Sequence, residues 1–419
     1  MTGRDLAIGL DVGTSGVRAI AIDGAGRIAG EGRADIGVAL RRDAAAIWAA
    51  VELALGALCA RVEPARIAAI AVDGTSGTII ATGASGEPVA PASLYNDKAD
   101  AEALARVRAV APAESAVHGG TSPLARMLAI YRIPGVRHVL HEADWVAFRL
   151  GGPLGVSDAN NALKSGYDPI ANAWPGWIGD VGLSLGLLPR VEEPGQAVGT
   201  VCRRVAERFG ISRHALIVAG TTDGCASFLA TGARETGEAV SALGSTLTVK
   251  VLSEVPVFSS RYGIYSHRLL GRFLPGGASN AGAGVLAQFF APARIAELSA
   301  RIDPAKDTGL DYYPLPGIGE RFPLNDPALA PRLTPRPTDD ALYLHGLLEG
   351  LARIEALAYR RLTELGAPRI VRVLSVGGGA VNEVWVALRA RILGVPVARA
   401  AETEAAYGVA RLAALGSPV

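Results

Sequence analysis

The chain has 419 residues, half of them apolar and 19% charged. Its length suggests roughly two to three domains. That composition excludes an intrinsically disordered chain, which needs low hydrophobicity and high net charge. Forty-one basic residues against forty acidic ones leave +1, which excludes a generic basic nucleic-acid surface and an acidic tail. Three scattered cysteines, Cys59, Cys202 and Cys225, lack metal-ligand or redox spacing, so neither disulfides nor zinc are expected and a reducing compartment is. The N-terminus shows no secretory signal and no uncharged apolar run reaches membrane-spanning length, so a soluble, cytoplasmic protein with no membrane partner is expected.

In chain order, Leu6–Leu10 and Val17–Ile22 flank Asp11-Val-Gly-Thr-Ser-Gly16 and predict a hairpin. Trp48–Arg61 has helical spacing of Val51, Leu55 and Leu58. Ile67–Val72 is a buried strand ending in Asp73-Gly-Thr-Ser-Gly77, and Thr78–Ala84 continues as a strand. Together these predict a mixed sheet with helical cover. Gly151–Gly199 is turn-rich and predicts an inserted cap outside the core. Ile217–Ala219 leads into Gly220-Thr-Thr-Asp223-Gly224 and an Ala-rich helix. The strand–turn–strand pattern then recurs around Gly244-Ser245-Thr246, which suggests two related lobes facing each other. Arg301–Asp339, rich in Pro and Asp, predicts a long surface excursion. Ala341–Leu365 is a helix by the spacing of Leu344, Leu347, Leu348, Leu351 and Ile354, stopped by Gly366. Ile370–Val376 is a strand into Gly377-Gly378-Gly379, and Glu383–Leu393 and Thr403–Leu415 are helices.

Several nucleotide sites are excluded at once. There is no Gly-Lys dipeptide, hence no Walker-type P-loop, and no Gly-x-Gly-x-x-Gly follows a strand. What remains are glycine turns between paired strands. The turn at Gly13-Thr14-Ser15 offers backbone N–H groups and two hydroxyls, a nest suited to an anion. Asp11, just before it, is placed to hold Mg²⁺ directly or through water. Gly244 and Ser245 offer a second nest. Each alone reads as an ordinary hairpin turn; jointly, with the aspartate, they favour a phosphate clamp. Gly377, Gly378 and Asn382 suit the close approach of a flat ring at a helix start, or a plain strand–helix turn capped by Asn382. Asp223 either caps the helix that follows or takes a proton from a substrate hydroxyl attacking phosphorus. Ser76 is placed to contact a polyol. The six histidines form no spaced cluster and none is assigned to catalysis.

Asp11-Val-Gly-Thr-Ser-Gly, Gly220-Thr-Thr-Asp-Gly, Gly244-Ser-Thr and Gly377-Gly-Gly-Ala-Val-Asn occur in the order seen in FGGY carbohydrate kinases, and the resemblance covers essentially the whole chain. It implies an α/β fold of two ribonuclease-H-like lobes around a central cleft, in the actin/hexokinase/Hsp70 superfamily. The implied lobes are 1–232 plus 403–419, on the sugar and phosphate side, and 233–402, on the nucleotide side. Gly155–Asp168, Tyr265–Arg268, Gly276–Asn280, Leu310–Pro316 and His345–Gly350 further resemble the short FGGY group of cyanobacteria and plants, regarded as D-ribulokinase.

By that resemblance Asp223 is the catalytic base and Asp11 the magnesium- and phosphate-orienting carboxylate beside the substrate. Thr14 and Ser15 touch the transferring phosphate, Ser76 binds sugar, and Gly244 and Ser245 bind nucleotide phosphates. Gly377, Gly378 and Asn382 lie along adenosine, and Gly282 faces the nucleotide. ATP and Mg²⁺ are the implied cofactors, a small sugar the partner, and the chain a monomer or homodimer. Ala159, Cys225 and Ala281 depart from the group's pattern and leave the ketose open. D-xylulose, another ketose or polyol, or an idle sugar-binding regulator on the same scaffold remain alternatives.

Overall fold

A computed structural model describes residues 5–416. The chain divides into two units: residues 1–230 with 267–271 and 404–419, and residues 231–266 with 272–403.

The first unit holds, in chain order, β1 (Leu6–Val12), β2 (Gly16–Ile22), β3 (Ile28–Asp35), α1 (Ala44–Cys59), β4 (Ile67–Gly74), β5 (Ile79–Thr82), α2 (Ala101–Val110), α3 (Pro123–Ile130), β6 (His138–His141) and α4 (Glu142–Leu150). There follow β7 (Val156–Asp158), α5 (Ala159–Leu163), α6 (Trp177–Asp180), β8 (Arg190–Glu192), β9 (Ala197–Thr200), α7 (Arg203–Phe209), β10 (Leu216–Thr222) and α8 (Asp223–Ala230). Its main sheet runs β3-β2-β1-β4-β10-β9. β1 pairs antiparallel with β2 and parallel with β4, and β10 is parallel to β4. The three parallel strands are apolar almost throughout, as strands covered on both faces must be. Leu6, Ile8 and Leu10 of β1 and Val51, Leu55 and Leu58 of α1 share one core.

The chain's last helix, α12 (Ala405–Leu415), belongs to this unit. Its approach to the sheet is set by glycine: a Cβ on Gly9 would lie 2.0 Å from the Ala406 carbonyl oxygen. One on Gly408 would lie 1.8 Å from that of Ala226 in α8. No side chain fits at either position.

The second unit holds β11 (Glu238–Leu243), β12 (Leu247–Val251), β13 (Tyr265–Leu269, of which residues 267–269 count with the first unit), β14 (Arg272–Ser279), α9 (Pro292–Ser299), α10 (Asp340–Glu364), β15 (Arg372–Val376), α11 (Glu383–Leu393) and β16 (Val397–Arg399). Its sheet runs β13-β14-β12-β11-β15-β16. The hairpin β11–β12 turns at Gly244-Ser245-Thr246, and β11 is parallel to β15. The α10 helix buries Leu344, Leu347, Leu348, Leu351 and Ile354, and ends where Gly366 takes φ +108°. Beneath the sheet Arg389 and Glu355, both fully buried, pair at 2.6 Å, and Arg389 also donates to Ser375.

Two sequence expectations are corrected. Residues 151–199 are not merely a cap: β9 extends the main sheet, and Asn160, Asn161 and Ala162 are buried beside β10. Residues 301–339 are not a surface excursion. Tyr312, Leu315 and Phe322 join the second core, and Glu320 accepts from Ser279 Oγ and the Asn280 N–H. Elsewhere only ends move: α1 starts four residues before Trp48 because Asp43 caps it by accepting from the Ala45 N–H.

Candidate functional site

In the first unit, Asp11 on β1 and Asp73 on β4 are in register across the parallel pair, and Asp73 is in register with Thr221 on β10. Asp223 opens α8 directly after β10. Three carboxyls thus collect at the carboxyl ends of three neighbouring strands, the standard crevice position of open α/β sheets. Burial raises the Asp11 pKa, with the Asp223 charge adding to it. Asp73 is fully buried, and its pKa stands well above the ordinary carboxylate value, first through burial and then through the charge of Asp11. The Asp11 and Asp73 carboxyls approach closely enough for a hydrogen bond that only a protonated carboxyl can make.

Asp73 was passed over in the sequence although a signal existed: Asp73-Gly-Thr-Ser repeats most of Asp11-Val-Gly-Thr-Ser at an adjacent strand end. Arg18 was missed likewise. It stands opposite Asp11 across the hairpin and pairs with Glu404.

Ser76 lies in the turn between β4 and β5, and its buried Oγ has no hydrogen-bond partner. The turn is braced from both sides. Arg41 and Glu142, 4% and 0% exposed, form a bidentate pair, and both bond the Thr75 hydroxyl at 3.2 Å. Arg126 donates to the Gly77 carbonyl, to Ser93 Oγ and to the Leu94 carbonyl. Burial lowers the Arg126 pKa to about 10. The turn is thus held rigid with one buried hydroxyl left unsatisfied, at a cost in stability.

The first glycine turn is narrower as an anion nest than its sequence suggests. The Gly13 N–H closes the hairpin onto the Gly16 carbonyl at 2.9 Å, which removes it from the donor set. Thr14 and Ser15 are exposed at the tip. Asp223 Oδ1 accepts from the adjacent Gly224 N–H at 2.7 Å. Cys225 is buried, as a small apolar residue would be.

In the second unit the remaining candidates come together. The Ala283 N–H donates to the Gly244 carbonyl at 2.9 Å. A Cβ on Gly282 would lie 2.5 Å from the Ser245 carbonyl oxygen, so Gly282 lets its segment press against the Gly244–Ser245 turn rather than offering a surface of its own. Gly377 (φ +86°) packs on Leu243, immediately before that turn. Beyond it opens a pocket of ≈ 460 Å³ lined by Ala283, Leu286, Ile295, Ala300, Gly378, Asn382 and Trp385 among others. Asn382 is the N-cap of α11: its Oδ1 accepts from the Trp385 N–H at 3.1 Å, while Nδ2 donates to Ser299 Oγ at 2.9 Å. The capping account of Asn382 holds, and the residue also lines the pocket.

A divalent cation suits the donors of the first unit. Asp73 has two buried oxygens with no conventional donor and Asp11 lies against them, while among the described residues no group of three or more His, Cys, Asp or Glu is placed to hold a metal ion by itself. One or two carboxylates with the other positions left to phosphate and water is the usual magnesium arrangement. Among the described residues no helix is long and apolar enough to cross a membrane.

The two sheets and their hairpins define an α/β protein of two sheet-containing units, and comparison with known proteins agrees. A xylulose kinase structure from Rhodospirillum rubrum superposes with a TM-score of 0.84 at 21% identity, covering 99% of this chain and 90% of that one. A xylulose kinase structure from Brucella ovis superposes at 0.83 and 23% identity, covering 98% and 90%. Residues 6–118 match the N-terminal domain of the FGGY family of carbohydrate kinases and residues 241–417 its C-terminal domain. The chain belongs to that family.

Among curated relatives, a xylulose kinase of Streptomyces coelicolor is 28% identical over 94% of this chain and 84% of its own length. One from Streptomyces rubiginosus is 29% identical over 59% of this chain, a match spanning about half (54%) of that relative. An autoinducer-2 kinase of Yersinia pestis is 25% identical over 68% of this chain and 58% of its own.

Proposed function

We propose that the protein transfers the γ-phosphoryl group of ATP to the terminal hydroxyl of a ketopentose, converting D-ribulose to D-ribulose 5-phosphate. The supporting observation is the three-carboxyl cluster of Asp11, Asp73 and Asp223, with the orphaned Ser76 Oγ in the turn that follows the strand of Asp73. Ser76 bonds a sugar hydroxyl and holds the chain of the ketose. Asp223 accepts the proton of the attacking hydroxyl. Thr14 and Ser15 bond the phosphoryl being transferred, and Gly244 and Ser245 the phosphates behind it. The apolar pocket takes the adenine ring, with Gly378 and Asn382 along it. Asp11, with Asp73 behind it, would hold Mg²⁺, which would supply charge neutralisation for the phosphates. The fit of the ketopentose to the D-ribulose configuration rests on the resemblance to the short FGGY group. D-xylulose is the second reading, favoured by the names of the Streptomyces relatives.

The test is sugar-stimulated ADP release from Mg-ATP across D-ribulose, D-xylulose, L-ribulose, L-xylulose, ribitol and glycerol. Preference for D-ribulose by tenfold or more in kcat/KM supports the reading. Preference for D-xylulose moves the substrate and keeps the chemistry. No sugar stimulation overturns the kinase. Removing magnesium with a chelator abolishes turnover if Asp11 acts as stated.

A further inference from the structure

Within the segment 151–199, against the strand that leads to the acid cluster, lies a polar side chain that the proposed chemistry does not use. Asp158 ends β7 and caps α5, its Oδ1 accepting the N–H groups of Asn160 at 2.8 Å and Asn161 at 3.0 Å. That cap fixes the first turn of α5 and with it the direction of Asn160, which has no solvent exposure. Asn160 Nδ2 donates to Thr221 Oγ1 at 2.9 Å and to the Arg268 carbonyl at 2.7 Å, and its Oδ1 accepts the Arg268 N–H at 2.8 Å. Both amide hydrogens and the amide oxygen are therefore engaged. The pattern also fixes the amide orientation, because the flipped form would set oxygen against the Arg268 carbonyl and NH₂ against its N–H.

Each end of this bridge is itself anchored. Thr221 is fully buried on β10, in register with Asp73 and two residues before Asp223. Arg268 is held through its guanidinium by the Pro169 carbonyl and Asn172 Oδ1, both at 2.8 Å, and by Glu193 at 2.6 Å. A buried amide with every polar atom satisfied, between two anchored partners, locks the strand end that delivers Asp223.

We propose that Asn160 is a positioning residue for phosphoryl transfer, setting Asp223 through Thr221; this rests on the reading of Asp223 as the base. Asn160 makes no contact with reacting atoms, so it changes the rate of the chemical step rather than the binding of either substrate. Two isolated donors on a rigid helix turn are enough for this, since a misplacement of about 1 Å at a reacting group costs up to about a hundredfold in rate. The neighbouring Asn161 serves a different purpose: its Nδ2 returns to Asp158 Oδ2 at 2.6 Å and reinforces the cap.

The experiment compares wild type, Asn160→Asp, Asn160→Ala, Thr221→Val and the double variant Asn160→Ala/Thr221→Val. Steady-state kinetics give kcat and both KM values, and calorimetry gives nucleotide-binding stoichiometry. Asn160→Asp preserves volume but loses the amide donors. The expected result is a fall in kcat of about 10- to 100-fold, with both KM values within twofold and one nucleotide bound per chain. The double variant is expected to lose no more than the worse single one, because both act through one contact. Asn160→Asp with kcat within twofold of wild type overturns the proposal. So does a kcat loss that merely tracks lost nucleotide stoichiometry, which marks unfolded protein, and so do losses that multiply in the double variant. Should Asn160→Ala not fold, Asn160→Asp and Thr221→Val decide it alone. If wild type shows no sugar-stimulated turnover, the kinase reading fails first and the proposal falls with it; normal wild-type turnover with a fully active Asp223→Ala removes the base and the proposal, leaving the kinase.

Discussion

The acid cluster of the first unit and the pocket of the second differ in how their polar atoms are satisfied. At the ends of β1, β4 and β10, carboxyl oxygens of Asp73 and the hydroxyl of Ser76 are buried without a conventional partner. In the pocket beside α11, Asn382 is spent on capping and on Ser299, and most of the lining is aliphatic or aromatic. Unsatisfied buried groups cost stability and persist where a ligand completes them. The pocket has one such group, the buried Trp385 Nε1, in an otherwise mainly apolar lining that holds a flat ring chiefly by area. The first region is therefore built for chemistry and the second for binding, and substitutions in the two must fail in different ways.

The sharpest break is Asp223→Ala. Transfer is expected to fall about 10²- to 10⁴-fold while ATP affinity stays within a few fold; initial rates and nucleotide titration separate the two, and a variant with near-normal transfer removes Asp223 from its role. Next is Arg41→Met, which strands the Glu142 carboxylate in the interior. Breaking a buried pair from one side costs about 3–5 kcal/mol, read by denaturant unfolding. The sugar KM should rise with it and the ATP KM should not, because the Thr75–Gly77 turn loses its brace. On the other side, Ala296→Trp fills the ≈ 460 Å³ pocket. Its ATP KM is expected to rise about tenfold, equivalent to ~1.4 kcal/mol, with the sugar KM unchanged; an equal rise in both would erase the contrast between the regions.

The last effect concerns His141, which adjoins Glu142 and bonds Ser165 Oγ at 3.1 Å. Burial pushes its imidazole from 6.5 down to about 3. Between those values the unfolded chain binds a proton that the folded one refuses. The stability contributed by neutral His141 is thus full above pH 6.5 and lost as pH falls, at about 1.4 kcal/mol per unit. Unfolding midpoints measured from pH 7 to 5 should fall, and His141→Asn should flatten the slope.

Much of this was legible in the sequence, for reasons that vary by element. The α10 helix was plain because Leu344, Leu347, Leu351 and Ile354 keep one face over about three turns. The hairpin turns were plain because Gly13 and Gly244 sit between apolar runs. Residues 301–339 were misread because proline and aspartate dominate the composition, while Tyr312, Leu315 and Phe322 follow no period that marks them as core. The brace on the sugar turn had no local trace at all: Arg41 and Glu142 are 101 positions apart, and only the fold brings them together. Asp73 had a trace, the Gly-Thr-Ser-Gly that follows it as it follows Asp11-Val, but nothing local shows that the two aspartates stand in register on adjacent strands.

The glycine contacts that seat α12 on β1 and α8 bear on the order of events during synthesis. The helix that completes the first unit is encoded after the whole of the second. Because α12 follows directly on β16, the last strand of the second unit, the β1 and α8 surfaces stay uncovered at Gly9 and Ala226 until that unit too has been made. The acid cluster therefore gains its full scaffold only once both units are synthesised, whereas the apolar pocket is built from one unit alone.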